Sequence, residues 1–218
     1  MTATPSPTPD VRVLDPAELS TLLREGAVVL DVRPPDAYGA AHVAGAVNVN
    51  LAASGFGERV RLVVPSGAGL VLVGGDDDQI RRATTALADG SPILGALGAE
   101  PDRWRRAGLE VRRTQQIEPA ALAALMDDAS GLLVLDVREQ REWDEGHLPD
   151  ARFIPFHELP RRTGELDPAR PVTLYCATGQ RSSIAASILE RAGFREVSNV
   201  VGGIVAWTKA GLPTQPSS

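Results

Sequence analysis

A single cysteine and the polar residues after it are the part of this sequence best suited to chemistry. Cys176 is the only cysteine in 218 residues, which excludes an intramolecular disulfide and a cysteine-cluster zinc site. The residues that follow, Ala-Thr-Gly-Gln-Arg-Ser, end at Ser182 and form a short polar stretch. An ionised thiol is a strong nucleophile, so catalysis by this chain is expected to run through sulfur.

The elements on either side of Cys176 predict where the thiol lies. The apolar run at 172–175 predicts a buried strand, and Ile184 and Ile188 then recur at helical spacing. The cysteine therefore falls between the carboxyl end of a strand and the amino end of a helix, the edge at which open α/β sheets bind ligands. A lone cysteine is by default a small buried apolar residue, but this placement favours a reactive thiol.

The loop after Cys176 is predicted to bind an anion. Unpaired backbone amides of the loop and the first helical turn stabilise negative charge, and a thiol among them ionises more readily than a free one. The predicted substrate-binding residues are those of the loop: Ala177, Thr178, Gly179, Gln180, Arg181 and Ser182. Arg181 either contacts the substrate or ties the loop down through backbone carbonyls, and the sequence leaves both roles open.

The chain contains two copies of one plan. The segment Val-Leu-Asp-Val-Arg at 29–33 recurs at 134–138, and the same offset carries His42 to His147. Each copy alternates apolar strands with helices, which is typical of a parallel sheet covered on both faces. The predicted fold is therefore α/β with two tandem domains, divided into a disordered tail at 1–10, a non-catalytic domain at 11–113 and a catalytic domain at 114–218.

The first copy lacks the nucleophile. Alignment of 70–73 with 172–175 puts Gly74 where Cys176 stands, and the following residues include three aspartates at 76–78. These carboxylates would repel an anionic substrate, and we interpret them as a helix-capping acidic turn. The first domain is therefore expected to support or shape the active one.

Residues that recur in both copies are predicted to be structural, since one copy has no nucleophile. His42 and His147 are expected to make structural hydrogen bonds. The Asp and Arg of each repeated segment, Asp31 with Arg33 and Asp136 with Arg138, are expected to hold the strand end and the loop after it.

Composition excludes several classes of partner. With 22 Lys and Arg against 28 Asp and Glu the net charge is −6, the wrong sign for binding phosphate backbones, so no nucleic acid is expected. The longest apolar runs are far shorter than the roughly 20 residues that cross a bilayer. The first ten residues resemble no secretion signal, so the expected location is the cytoplasm. The three histidines lack metal-ligand spacing.

Together these motifs resemble the rhodanese (thiosulfate sulfurtransferase) family. The resemblance covers nearly the whole chain as two rhodanese-like domains, and the second is also similar to rhodanese domains fused to persulfide dioxygenases. Its motifs are the Cys-x-x-Gly-x-Arg-Ser loop at 176–182, Leu-Asp-Val-Arg at 135–138, Gly-His-Leu-Pro-Asp-Ala at 146–151 and Gly-Gly-Ile-Val-Ala-Trp at 202–207.

The resemblance implies a role in sulfur metabolism with no metal or organic cofactor. Cys176 would take a sulfane sulfur from a small-molecule donor, thiosulfate or an organic persulfide, and pass it from a persulfide to a thiol or cyanide. Four residues separate Cys176 from Arg181, whereas rhodanese-like phosphatases have five, so the loop favours sulfur. Many thiosulfate-using members carry a basic residue where this chain has Ala177, so an organic persulfide is kept as an alternative sulfur donor. The alternative is a sulfur-relay or partner-binding module with little free turnover, docked to a sulfur-oxidising enzyme.

Overall fold

Two parallel sheets, each flanked by helices, organise the chain. The computed structural model describes residues 11–88, 90–127 and 131–216, and the predicted tail at 1–10 lies outside them. The first unit comprises α1 (Pro16–Arg24), β1 (Val28–Asp31), α2 (Pro35–Ala40), β2 (His42–Val43), β3 (Val47–Asn48), α3 (Phe56–Val63), β4 (Leu70–Gly74), α4 (Asp77–Ala86), β5 (Ile93–Gly98), α5 (Pro101–Arg106) and β6 (Val111–Arg112).

The second unit repeats the alternation of helices and strands from α1 to α5, begins with an additional strand, and has no strand in the positions of β2 and β6 within the described residues. It comprises β7 (Gln115–Ile117), α6 (Pro119–Asp127), β8 (Leu133–Asp136), α7 (Gln140–Asp144), β9 (Arg152–Phe153), α8 (Leu159–Arg162), a short 3₁₀ helix (Thr163–Glu165), β10 (Val172–Tyr175), α9 (Gln180–Arg191), β11 (Val197–Val200) and α10 (Gly203–Lys209).

The strand order repeats between the two sheets. The first sheet has the order β3-β1-β4-β5 and the second β7-β11-β10-β8-β9, with parallel pairing throughout. In reverse, the order of the second sheet is β9-β8-β10-β11-β7. Its first four strands correspond to β3-β1-β4-β5 of the first sheet, and β7 is an additional edge strand. Val13 makes a parallel bridge to Ala96 of β5, which gives the first sheet a single-residue counterpart of β7. The predicted tandem α/β architecture is confirmed.

The repeated Asp and Arg residues form buried pairs at equivalent strand ends. Arg33 donates to both carboxylate oxygens of Asp31 and, through Nη2, to the carbonyl of Ala41 at 2.8 Å. Arg138 does the same with Asp136 and with the carbonyl of Gly146 at 2.7 Å. These pairs tie each central strand to the loop that follows it, as predicted.

The two units share an apolar core. One continuous cluster of buried side chains contains Val47, Phe56 and Val60 of the first unit together with Ile184 and Ile188 of α9. Because burial of a large apolar side chain contributes roughly 1.5–3 kcal/mol, this shared cluster is a substantial source of cohesion between the units.

Polar contacts fix α9 against the first unit. Glu190 is 8% exposed and accepts hydrogen bonds from Tyr38 Oη at 3.2 Å and Thr114 Oγ1 at 2.6 Å, while His42 Nε2 lies 3.0 Å from its carboxylate. Burial first, and then the Glu190 charge, raise the pKa of Tyr38 well above its usual value. Two turns earlier in α9, Ser183 Oγ donates to Asn48 Oδ1 at 2.6 Å. The helix that follows Cys176 is thereby held by both units.

Candidate active site

Cys176 lies where the sequence predicts, after the last residue of β10 and before the first turn of α9. The Gly179 amide donates to its Sγ at 3.2 Å and the Ser182 hydroxyl at 3.4 Å, so two donors face the sulfur. The side chain is only 1% exposed. Its inner side contacts the shared core, and it also lines a cavity of about 340 Å³. The thiol is thus an enclosed group at the base of a small cavity.

The backbone of the loop is held in place by α10. The amides of Ile204 and Val205 donate to the carbonyls of Cys176 and Ala177 at 2.8 and 3.2 Å. Gly203, at φ +56°, allows this close approach, because a Cβ there would lie 2.2 Å from the Cys176 carbonyl oxygen. α10 therefore binds the loop through two of its carbonyl groups, and the Gly179 amide of the same loop points to the thiol.

The predicted loop residues have three different positions in the structure. Thr178, Gln180 and Arg181 line the cavity with Cys176. Gly179, at φ +92°, and the buried Ser182 act on the sulfur itself, through the hydrogen bonds given above. Ala177 contributes the carbonyl that Val205 binds. The contacts of these six loop residues with a substrate stay a prediction.

Arg181 has an ion-pair partner that no sequence pattern predicted. Its two terminal nitrogens donate to the two carboxylate oxygens of Glu142 on α7, the Nη2 bond being 2.7 Å. This hydrogen bond is the main cause that lowers the pKa of Glu142 and raises that of Arg181. Arg181 therefore ties the loop to a side chain of α7.

The first unit supplies part of the cavity wall. Asn50, Ser54 and Arg59 line the cavity. Asn50 Nδ2 donates to Gln180 Oε1 at 3.0 Å, which joins the two halves of the rim. The guanidinium of Arg59 belongs to α3 and reaches the cavity from a position remote in sequence from Cys176. Asn50, Ser54 and Arg59 all lie outside the repeated segments, so no sequence pattern pointed to these three residues.

The equivalent place in the first unit has no nucleophile. Gly74 ends β4, and a Cβ there would lie 2.8 Å from Ile80 Cδ1. Asp76 caps α4, accepting the Gln79 amide at 2.8 Å, so the acidic run is a helix cap as predicted. Within the described ranges, no group of three His, Cys, Asp or Glu side chains could hold a metal ion.

The recurring histidines make matching backbone contacts. His42 Nδ1 lies 3.0 Å from the Tyr38 carbonyl, and His147 Nδ1 lies 3.3 Å from that of Trp143. Each imidazole also stacks on the aromatic ring four residues earlier. The predicted structural role of both is confirmed.

One α/β unit has a cysteine after its central strand and the other unit has a glycine at the equivalent position, so the chain is a tandem protein with a single thiol site. The chain belongs to the family of the Rhodanese-like domain, which matches residues 15–95 and 118–210.

Several curated and solved proteins are similar to it. A sulfurtransferase of Allochromatium vinosum is 37% identical over 98 residues, covering 45% of this chain and 92% of that protein. The putative sulfur carrier protein YrkF of Bacillus subtilis is 36% identical over 93 residues, covering 43% of this chain and 50% of that protein. A crystal structure of a thiosulfate sulfurtransferase from Pseudomonas aeruginosa is 24% identical, with a TM-score of 0.45, covering 95% of this chain and 44% of that one.

In the part of the chain that the structure describes, none of the helices has the length and apolar character needed to cross a bilayer.

Proposed function

We propose that this protein is a sulfurtransferase that carries a sulfane sulfur on Cys176. The observation that carries the proposal is the placement of the thiol: Sγ receives the Gly179 amide and the Ser182 hydroxyl at the base of a 340 Å³ cavity. Donors aimed at a sulfur stabilise it as an anion, which is the nucleophilic form. The name sulfurtransferase borne by the Allochromatium relative supports the same activity.

The first half-reaction forms a persulfide. The Cys176 thiolate attacks the sulfane sulfur of the donor, and a new S–S bond forms as the donor's own bond to that sulfur breaks. The electron pair leaves with the departing group, which is sulfite from thiosulfate or a thiol from an organic persulfide. The Gly179 amide and the Ser182 hydroxyl hold the attacking sulfur in place.

The second half-reaction returns the free enzyme. A thiolate or cyanide attacks the outer sulfur of the persulfide, the S–S bond between that sulfur and Cys176 Sγ breaks, and its electron pair stays on Sγ, which regenerates the Cys176 thiolate. No net oxidation of the protein occurs, and double displacement predicts ping-pong kinetics. Since the thiol must stay reduced between turnovers, we place this activity in the cytoplasm.

The burial of Cys176 supports sulfur chemistry on small donors. A persulfide formed on a side chain that is 1% exposed is shielded from bulk thiols, and only a molecule that fits the cavity reaches it. The Arg181 ion pair with Glu142 keeps the loop fixed through both half-reactions.

Mass spectrometry and turnover assays together test the proposal. The full chain and its Cys176→Ser variant are incubated with thiosulfate or glutathione persulfide, then assayed with cyanide or glutathione as acceptor. We expect the wild type, but not the variant, to gain the mass of one sulfur atom and to turn over. A wild type that loads sulfur without turnover would point to the relay role, and one that does neither would refute sulfur transfer.

A further inference from the structure

The cavity beside Cys176 is lined by two guanidinium groups with different surroundings. Arg181 is paired with both oxygens of Glu142, and its charge is thereby compensated. Arg59 contributes a second cation from the first unit. Its Nη1 is buried and has no hydrogen-bond partner within the described ranges. The cavity therefore holds one guanidinium that is satisfied and one with an open donor.

An unsatisfied buried donor is unfavourable in a folded protein and calls for an acceptor. Burying a polar group without a hydrogen bond destabilises the fold, and does so more strongly where the group is charged. Burial, and then the nearby charge of Arg181, lower the pKa of Arg59. Position 177 of the loop is an alanine, so the loop brings no further cation to compete for an anion on this side.

The helix that carries Arg59 is packed against the shared core. Phe56 and Val60 of the same helix are 6% and 2% exposed and belong to the cluster that includes α9. Asn50, earlier in the first unit, is bonded to Gln180 of the loop. The guanidinium is thus presented to the cavity by a rigid element and not by a free surface side chain.

Resting on the proposed function, we infer that Arg59 of the domain without a nucleophile binds the oxyanion end of the sulfur donor. The ligand class is a sulfur donor whose leaving group is a sulfur–oxygen anion, either inorganic thiosulfate or an organic thiosulfonate. As the sulfane sulfur moves to Cys176, the departing sulfite or sulfinate takes the electron pair of the broken S–S bond. A charge-assisted hydrogen bond from Arg59 stabilises that growing charge.

The test compares donors with and without an oxyanion on variants of the full chain. Arg59→Gln removes the cation, and Arg59→Lys keeps a charge but not the planar guanidinium. Arg61→Gln is the matched control, because Arg61 is exposed on the same helix and lines a different cavity. The donors are thiosulfate, methanethiosulfonate and cysteamine persulfide, with cyanide as the acceptor. Thermal unfolding of each variant establishes that it is folded.

We expect Arg59→Gln to lower kcat/KM for thiosulfate and methanethiosulfonate by about 10- to 100-fold, the effect of losing one charge-assisted hydrogen bond. Values for cysteamine persulfide and for cyanide should stay within about twofold, since each half-reaction has its own kcat/KM. Arg59→Lys should recover part of the loss, and Arg61→Gln should match the wild type.

Two results would overturn the inference while leaving sulfur transfer intact. In one, Arg59→Gln is as active as Arg61→Gln with thiosulfate. In the other, Arg59→Gln loses activity equally with all three donors, which would make its role structural. A wild type that loads no sulfur from any donor would instead refute the proposed function itself.

Discussion

Replacing Gly203 with alanine tests whether the α10 contact shapes the active-site loop. A Cβ at this position would lie 2.2 Å from the carbonyl oxygen of Cys176 and 2.6 Å from that of Ala177. Ordinary contact begins near 3.4 Å, so the loop and α10 must separate by about 1.2 Å. The φ of +56° adds a conformational cost of roughly 1–2 kcal/mol for any residue with a Cβ.

Gly211→Ala provides a matched control for the conformational part of this cost. Gly211 has a φ of +73°, follows the same helix, and has no atom within 4 Å of the position a Cβ would take. The control should lose only about 1–2 kcal/mol of unfolding free energy in urea. Gly203→Ala should lose several kcal/mol, because it adds steric overlap and weakens the Ile204 hydrogen bond.

The activity of the two glycine variants should differ more sharply than their stability. A displacement near 1 Å in a catalytic group lowers rates by about 10²-fold, so Gly203→Ala should lose about that factor in sulfur loading of Cys176. Loading is followed by mass spectrometry at a temperature where both variants are folded. Equal stability and equal loading rates for the two variants would refute the assigned role of α10.

Three further outcomes are expected. Gly74→Cys, made in the Cys176→Ser background, should gain no sulfur by mass spectrometry, because Ile80 crowds the new side chain and neighbouring carboxylates repel an anionic donor; loading at wild-type rate would contradict this. Glu190→Ala should lower the unfolding free energy in urea by about 2–4 kcal/mol, since its loss leaves buried partners unsatisfied; an unchanged midpoint would contradict it. The pKa of Glu142 is lowered from 4.5 in the folded protein, so its ionised form stabilises the fold above that value and the benefit is lost as pH falls through the folded pKa. The stability difference between wild type and Glu142→Gln should therefore shrink on acidification, measured by urea unfolding from pH 7 downward; a difference that grows would contradict it.

The architecture was predictable because a duplicated sequence provides an internal comparison. The repeated segments at 29–33 and 134–138 became equivalent central strands, each ending in a buried Asp–Arg pair. Strand, loop and helix around Cys176 followed from local apolar spacing. These features depend on residues near one another in sequence, for which spacing is a direct physical signal.

Contacts between distant residues were not predictable in this way. Arg181 finds Glu142, 39 residues earlier, and Arg59 reaches the cavity from the other unit. The Arg181–Glu142 pair depends on how α9 and α7 pack within the second unit, whereas the position of Arg59 depends on how the two units are oriented. No periodicity in the sequence records either arrangement. The first unit was expected to support or shape the active one, but no pattern in its residues predicted which of its side chains line the cavity.

The contacts that hold α9 against the first unit have a consequence for the history of the duplication. Because Glu190 contacts Tyr38 and His42 of the first unit, deletion of that copy would leave a carboxylate and an apolar helix face uncovered at once. A substitution that improves the packing between the two units would make a return to a single unit more damaging. A catalytically silent copy can thus become entrenched by burial alone, so its persistence in descendants would not require any selection for chemistry.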